Sequence, residues 1–317
     1  MARALALNPF LGMTKQITPV ITTAITPPSP QDLKLTRIGN TVHGFFAALE
    51  VSGHLSLYHM TSTYGSTYPF TWAVDPSPAL HYGQQSGLDE ILVSAAVPIA
   101  MPDGSFRLYY HSYNGVDRGC VATATAQAFP TFTPYPGNPT INVVAGHWDS
   151  AFIHTEVIIP PWDSPNGLWC CVFASGAAQT DAACRGGLAT SVDGLTGWTE
   201  NAGNPLVVLG PNGMWNGTGI HPAGGYLHIY DVWYILAQGW NGTTWQIGAY
   251  ATPDLLSYYT LPNCPFISPT PGNWDSGAIE NPGVLRDPTT GKTDLFYTSA
   301  ATFGSGAYSI GYATNQP

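Results

Sequence analysis

The chain has 317 residues, of which only 9% are charged, with 9 Lys+Arg against 19 Asp+Glu and a formal net charge of −10. So few basic residues exclude a nucleic-acid surface, which needs a basic stripe to neutralise phosphates. Gly (35) and Pro (28) are abundant, no stretch keeps a 3.6-residue apolar period, and none approaches the ~20 apolar residues of a membrane span.

Short aromatic and β-branched runs between turn residues predict an all-β protein. A pattern recurring about every 60–65 residues predicts its architecture, because a fixed period marks propellers and arrays. Gly-x-Trp-Asp-Ser occurs at 146–150 and 272–276, with a looser copy at 213–217. Aligning the segments C-terminal to each copy gives one domain over 1–317, a five-bladed β-propeller with four-stranded blades.

Residues 1–15 are expected to supply the outer strand of the last blade through 6–11, closing the ring and hiding its edges. The apolar run there is too short for a secretory signal and is broken by Asn8-Pro9. Residues 16–35 read as a strap. Blade one spans 36–84, with strands at 55–59 and 70–74, and blade two spans 85–143, with strands at 106–110 and 120–123. Blade three spans 144–210 and carries Trp148, an aromatic strand at 168–173 and a Gly/Ala/Thr strand at 187–191. Blade four (211–270) repeats this with Trp215, 232–236 and 247–252, and blade five (271–317) with Trp274, 294–298 and 310–314. Blades two to four end in fourth segments at 137–140, 203–206 and 263–266. Blade five has none, which is why the N-terminus is assigned there.

Five cysteines occur, Cys120, Cys170, Cys171, Cys184 and Cys264, without a CxxC pair, so a zinc ribbon is not expected. Cys170 and Cys171 adjoin on one strand and point to opposite faces. Either one of them meets Cys184, or all five are buried thiols.

The register places one equivalent residue per blade in the central channel: His43, Ser94, His154, His221 and Glu280. Three readings are open. His43, His154, His221 and Glu280 form a candidate site for one divalent metal, with nitrogen ligands favouring zinc, iron or manganese. The same groups can instead bind a glycan or other polar small ligand, or simply hold ordered water. Glu156, two residues past His154, shares its strand face and pairs with Glu280 as the candidate catalytic carboxylates. Trp148, Trp215 and Trp274 read as inter-blade packing or as sugar-stacking platforms at the channel mouth. Asp89, Asp149, Asn216 and Asp275 read as turn or cap residues.

The run from Trp274 through Glu280-Asn281-Pro282 to 294–298 and 310–314 resembles a blade of the five-bladed propeller glycosidases, the arabinanase/xylosidase and invertase-like families. The resemblance implies that Glu280 is a proton donor and that Asn281 lies at the substrate. It also implies an aspartate base in blade one and a second aspartate in a later blade. Blade one offers His43 and blade two Ser94, and Asp103 and Asp287 fall in turns at the wrong end of their blades. The chain therefore resembles a divergent member lacking the usual aspartates. The expected function is a carbohydrate-active or carbohydrate-binding propeller, with His154 and His221 orienting substrate. Alternatives are a non-catalytic virion or cell-surface propeller packed among virion proteins, for which the low charge argues, and a metal-dependent enzyme.

Overall fold

Short β-branched and aromatic runs cut by Gly and Pro can bury one face only as strands. The computed structural model describes residues 8–22, 27–65 and 71–315. Among them β1 (Thr14–Lys15) precedes a first unit of β2 (Gln31–Ile38), β3 (Thr41–Leu49), β4 (Leu55–Thr63) and β5 (Ala73–Val74). Unit two is β6 (Leu92–Ala100), β7 (Phe106–Tyr113), β8 (Asp117–Ala124) and β9 (Thr133–Pro134). Unit three is β10 (Phe152–Ile159), β11 (Trp169–Gly176), β12 (Arg185–Ser191) and β13 (Thr199–Glu200). Unit four is β14 (Gly219–Ile229), β15 (Val232–Trp240), β16 (Trp245–Thr252) and β17 (Tyr259–Thr260). The last unit is β18 (Ala278–Arg286), β19 (Thr293–Ala300) and β20 (Ser309–Thr314). Among the described residues the helical elements are two 3-10 turns, Pro161–Asp163 and Asp181–Ala183. None is long and apolar enough to cross a membrane.

Each unit is an antiparallel meander. The open edge of β20 is taken by β1, with Thr14 opposite Thr314 and Lys15 opposite Ala313. The closing pair therefore lies later than 6–11; residues 6 and 7 lie outside the described residues, and Phe10 is buried in a turn against Phe266. The strap expected over 16–35 also ends early, because Gln31 already begins β2. A single parallel bridge, Leu55 with Leu92, joins units one and two into a larger sheet.

The first strands contact one another in a closed circuit, β2 with β6, β6 with β10, β10 with β14, β14 with β18 and β18 with β2. Hydrophobic clusters repeat that order. Leu57 and Leu108 lie between units one and two, and Tyr109 and Phe173 between two and three. Val172 and Ile235 lie between units three and four, Leu236 and Leu295 between four and five, and Met60 and Phe296 between five and one. Alternation along a strand makes this possible: Cys170 faces unit four while Cys171 faces unit two. The five cysteines carry thiols and not disulfides, so neither bridges to Cys184.

The three tryptophans of the repeat pack inside their own sheets. Trp148 stacks on Phe173 and Trp274 on Tyr297, with ring centroids 5.7 and 6.1 Å apart. Trp215 lies over Gly239 and Gly248, where any side chain would collide with its ring. The expected fourth segments at 137–140 and 203–206 do run beside the third strands, where the Thr140 and Leu206 amides donate to the Gly119 and Gly186 carbonyls at 2.8 and 2.9 Å, and a side chain in each segment adds to this pairing. Asn138 accepts from the Val121 amide and donates to its carbonyl, both at 2.9 Å. Asn204 grips Leu188 in the same way, at 2.9 and 3.1 Å. The amide thus stands in for a strand's backbone beside β8 and β12, while the short fourth strands β9 and β13 come a few residues earlier.

Candidate active site

Every first strand is interrupted at the same level by a bulge, between Gln31 and Lys34, Ser94 and Val97, His154 and Val157, Pro222 and Tyr226, and Glu280 and Gly283. A bulge re-aims side chains and lets neighbouring residues face the same side. Asp32 and Asn281 take the left-handed conformation there, with φ of 58° and 48°, a strain of about 1–3 kcal/mol each that the surrounding packing must hold. In unit four the bulge is one residue longer. Gly224 fills it because a Cβ there would strike the Pro282 carbonyl of the adjacent unit.

The bulges converge on a cavity of about 220 Å³, whose lining includes Asp32, His154, Glu156, His221, Glu280 and Asn281. Asp32 is buried; Ser94 Oγ donates to its Oδ2 at 2.5 Å, and the Asn281 side-chain amide donates to its Oδ1. The Asp32 amide donates to Thr298 Oγ1 at 2.8 Å. Burial, with the nearby Glu156 charge adding to it, raises the Asp32 carboxyl above its ordinary range, against the pull of Lys34.

A chain of polar contacts runs from Asn281 to Glu156, and its polarity can be assigned step by step. The Asn281 amide donates to Gln238 Oε1 at 2.6 Å, so Gln238 Nε2 is the atom 3.2 Å from His221 Nδ1. Nδ1 therefore accepts, the ring proton sits on Nε2, and Nε2 lies 3.0 Å from Glu156 Oε1. Burial lowers the His221 pKa, outweighing Glu156, so the ring is neutral. The other oxygen, Glu156 Oε2, is 2.9 Å from Lys34 Nζ, with side-chain exposures of 4% and 2%. Lys34 also donates to the Pro282 carbonyl at 3.2 Å. Burial alone would raise the Glu156 carboxyl, but Lys34, His221 and His154 together hold it well below the usual range. Both Glu156 oxygens are thus engaged and the group is ionised. The Lys34–Glu156 pair also forms one wall of a smaller cavity of about 110 Å³ on the far side.

His154 belongs to a second cluster. Its ring stacks on His111 at 4.4 Å, and its Nε2 lies 3.5 Å from Asp117 Oδ2, which also accepts from Gln179 at 2.8 Å. Burial opposes the charged His154, yet Asp117 and Glu156 win and raise its pKa. His111, buried beside it, is pushed down to about 3.

Of the residues expected in the channel, His154, His221, Glu280, Glu156 and Asn281 line this cavity, and Ser94 touches it through Asp32. His43 does not. It lies on the second strand of its unit, with Nδ1 2.9 Å from His59 Nε2 and its ring edge-on to Phe129. The equivalent first-strand position is Gln31, and the next residue is Asp32, the carboxylate that unit one was expected to lack. Trp148, Trp215 and Trp274 are likewise outside the cavity, held in their sheets by the ring contacts above. Sequence reasoning does not single out Lys34, His111, Asp117 or Gln238. The alternation Asp32-Leu33-Lys34-Leu35 is a strand signal inside the expected strap, and it points to both Asp32 and Lys34.

The metal set His43, His154, His221 and Glu280 is not assembled. A different triple, His111, His154 and Glu156, brings ligand atoms within 4.8 Å of one another. A cation already stands at its carboxylate in the form of the Lys34 ammonium, which disfavours a second one there.

No protein-family model matches the sequence, and no curated protein matches it. Solved structures do. A structure described as a glycoside hydrolase aligns with TM-score 0.78 at 13% identity, over 100% of this chain and 96% of that one. A thermostable family-43 glycoside hydrolase aligns with TM-score 0.69 at 12% identity, over 90% and 88%. The β-1,2-mannobiose phosphorylase from Listeria innocua, in complex with β-1,2-mannobiose, gives 0.67 at 12%, over 96% of each chain. Across nearly its whole length, the chain shares the β-propeller fold of these glycoside-hydrolase and phosphorylase structures, in a sequence far diverged from theirs.

Proposed function

We propose that the chain is a five-bladed propeller glycoside hydrolase, in which units one to five are the blades and the cavity at their first strands is the active site. The observation that carries this reading is the meeting of Asp32 and Glu280 in that cavity, each at the bulge of its blade. Glycoside hydrolysis needs two carboxyl groups, one to protonate the leaving oxygen and one to activate water or attack the anomeric carbon. Glu280 is the proton donor. Asp32 is the base or nucleophile, oriented by Ser94 and Asn281, whose donated hydrogen bonds favour its ionised form. Glu156 is fixed as an anion by Lys34 and His221, so it positions and polarises rather than transferring a proton. Phe152, Trp245 and Phe303 also line the cavity and offer apolar faces to the C–H side of a sugar ring.

Hydrolysis is favoured over phosphorolysis by charge. Asp32 and Glu280 line the cavity, Glu156 there is already paired with Lys34, and no Lys or Arg among the described residues lines it, so a phosphate anion meets two carboxyl groups and no ammonium or guanidinium free to hold it. The test is sugar release from a panel of neutral oligosaccharides. The wild type is expected to release reducing sugar from at least one member, and Asp32→Asn to abolish it with thermal stability retained. Undiminished release by Asp32→Asn would refute the assignment.

A further inference from the structure

Unit five and unit three answer the same structural question in opposite ways. The strands Gly311-Tyr312-Ala313-Thr314 and Gly187-Leu188-Ala189-Thr190 are equivalent. Lys15 of the outer strand stands opposite Ala313, and Glu200 of the outer strand stands opposite Ala189. The repeat also supplies equivalent aspartates, Asp275 and Asp149, the fourth residue of each Gly-x-Trp-Asp-Ser copy. In unit five the result is an ion pair, Lys15 Nζ to Asp275 Oδ2 at 2.5 Å, with Nζ also donating to the Ser268 carbonyl at 2.6 Å. In unit three the ammonium is replaced by a carboxylate.

Nothing among the described residues compensates for that exchange. Asp149 has 0% exposure, and no amide, hydroxyl or cationic donor among the described residues reaches either of its carboxylate oxygens, which leaves the Glu200 carboxyl as its polar neighbour. Its neighbours at the equivalent positions do better: Asn216 donates to Tyr250 Oη at 2.5 Å, and Asp89 accepts from the Gln85 amide at 2.8 Å. Burial and Asp149 together push the half-buried Glu200 carboxyl up to about 7. A buried, unpaired carboxylate is costly unless a cation answers it. On the Glu200 side of the pair opens a cavity of about 550 Å³, lined by Asn142, His147, Trp148, Glu200 and Asn201 among others. Asn142 precedes Asp149 by the same interval (149 − 142 = 7) as Ser268 precedes Asp275 (275 − 268 = 7). Its carbonyl is therefore the counterpart of the one Lys15 uses.

We propose that Asp149 and Glu200 bind a hard divalent cation, calcium by preference, in the place that the Lys15 ammonium holds in unit five. The donors on offer are all oxygen, which suits calcium, and the adjoining cavity admits the waters needed to complete its six to eight ligands. The site shares no residue with the central cavity, so it stands or falls independently of the glycosidase reading.

The test is thermal unfolding of the full chain at pH 7.5 after chelator treatment, with and without calcium chloride, against potassium chloride of equal ionic strength. Calcium is expected to give a saturable rise in Tm that potassium does not. Glu200→Gln, at a half-buried position, is expected to stay folded and to lose the rise. Glu200→Lys copies unit five; it is expected to raise Tm without calcium and to be indifferent to calcium. Absence of a calcium-specific rise in the wild type would overturn the site, as would an undiminished rise in Glu200→Gln. A wild type stabilised by mild acid but not by calcium would mean that the two carboxyls share only a proton, and the proposal fails.

Discussion

The side-chain amide of Asn281 donates to the Asp32 carboxylate, linking two left-handed residues separated by 249 positions in the chain. One contact thus joins the bulge of the last first-strand to that of the first and aims the carboxylate at the cavity that Glu280 also lines. In the proposed enzyme, Asn281→Ala leaves Asp32 with one fewer donor to its charged form, so its pKa rises further. The acid limb of the pH–rate profile should move to higher pH, and kcat should fall on the order of tenfold through lost orientation. A profile superimposable on the wild type would show that Asn281 does not position Asp32.

The Lys34–Glu156 pair is buried on both sides, so removing one partner strands a charge. Lys34→Met is expected to lower unfolding stability by about 3–5 kcal/mol. The double variant Lys34→Met/Glu156→Leu, which removes both charges, should recover most of that loss. Urea denaturation of the two singles and the double measures the coupling, and additive losses would contradict a tight pair.

Acid stability should carry two signatures. Glu156 has its folded pKa depressed, so its contribution is full above the unfolded value of about 4.3 and is lost as pH falls below it. His111 is held down to about 3 in the fold, against about 6.5 unfolded, so the unfolded chain binds its proton first and stability drops as pH falls from about 6.5 toward 3. His154 works in the other direction. Its pKa is raised, so its contribution is complete below about 6.5 and disappears as pH rises through the folded value. Replacing His111 by Asn should flatten the Tm curve between pH 6.5 and 4, and replacing His154 by Asn should flatten it above neutrality. Unchanged slopes in both variants would refute these charge states.

Packing around Trp215 leaves no room at Gly248, where a Cβ would sit 2.6 Å from the indole ring. Gly248→Ala is expected to cost about 1–3 kcal/mol by overpacking. Calorimetry would show this as a lower Tm, and a neutral result would mean that Trp215 can shift.

The repeat makes much of this legible. Gly-x-Trp-Asp-Ser brings β10, β14 and β18 into register, and with them His154, His221, Glu280 and Glu156, because a structural position that recurs calls for a recurring residue. Unit one has no such copy. Its first strand begins at Gln31, directly after Pro30, in a stretch whose Thr- and Pro-rich beginning disguises it as a strap. Alignment therefore lands on His43 of the second strand and passes over Asp32. The bulges are also hidden, since two residues opposing one leave no mark in a period-two pattern. Lys34 looks like an ordinary strand lysine; only the fold shows that it is buried against Glu156, 122 residues away. The Trp spacing is legible as packing, and the rings do pack, each within its own sheet and away from the cavity that Glu280 lines.

Separating the two carboxylates by leaving group tests the central claim most directly. Kinetics of Glu280→Gln and Asp32→Asn would be compared on a dinitrophenyl glycoside, whose leaving group needs no proton, and on the matching methyl glycoside, whose leaving group does. The account predicts that Glu280→Gln loses about 10²–10⁴-fold on the methyl glycoside and far less on the dinitrophenyl one, while Asp32→Asn is disabled on both. Equal losses on the two substrates for Glu280→Gln, or full activity in either variant, would contradict it.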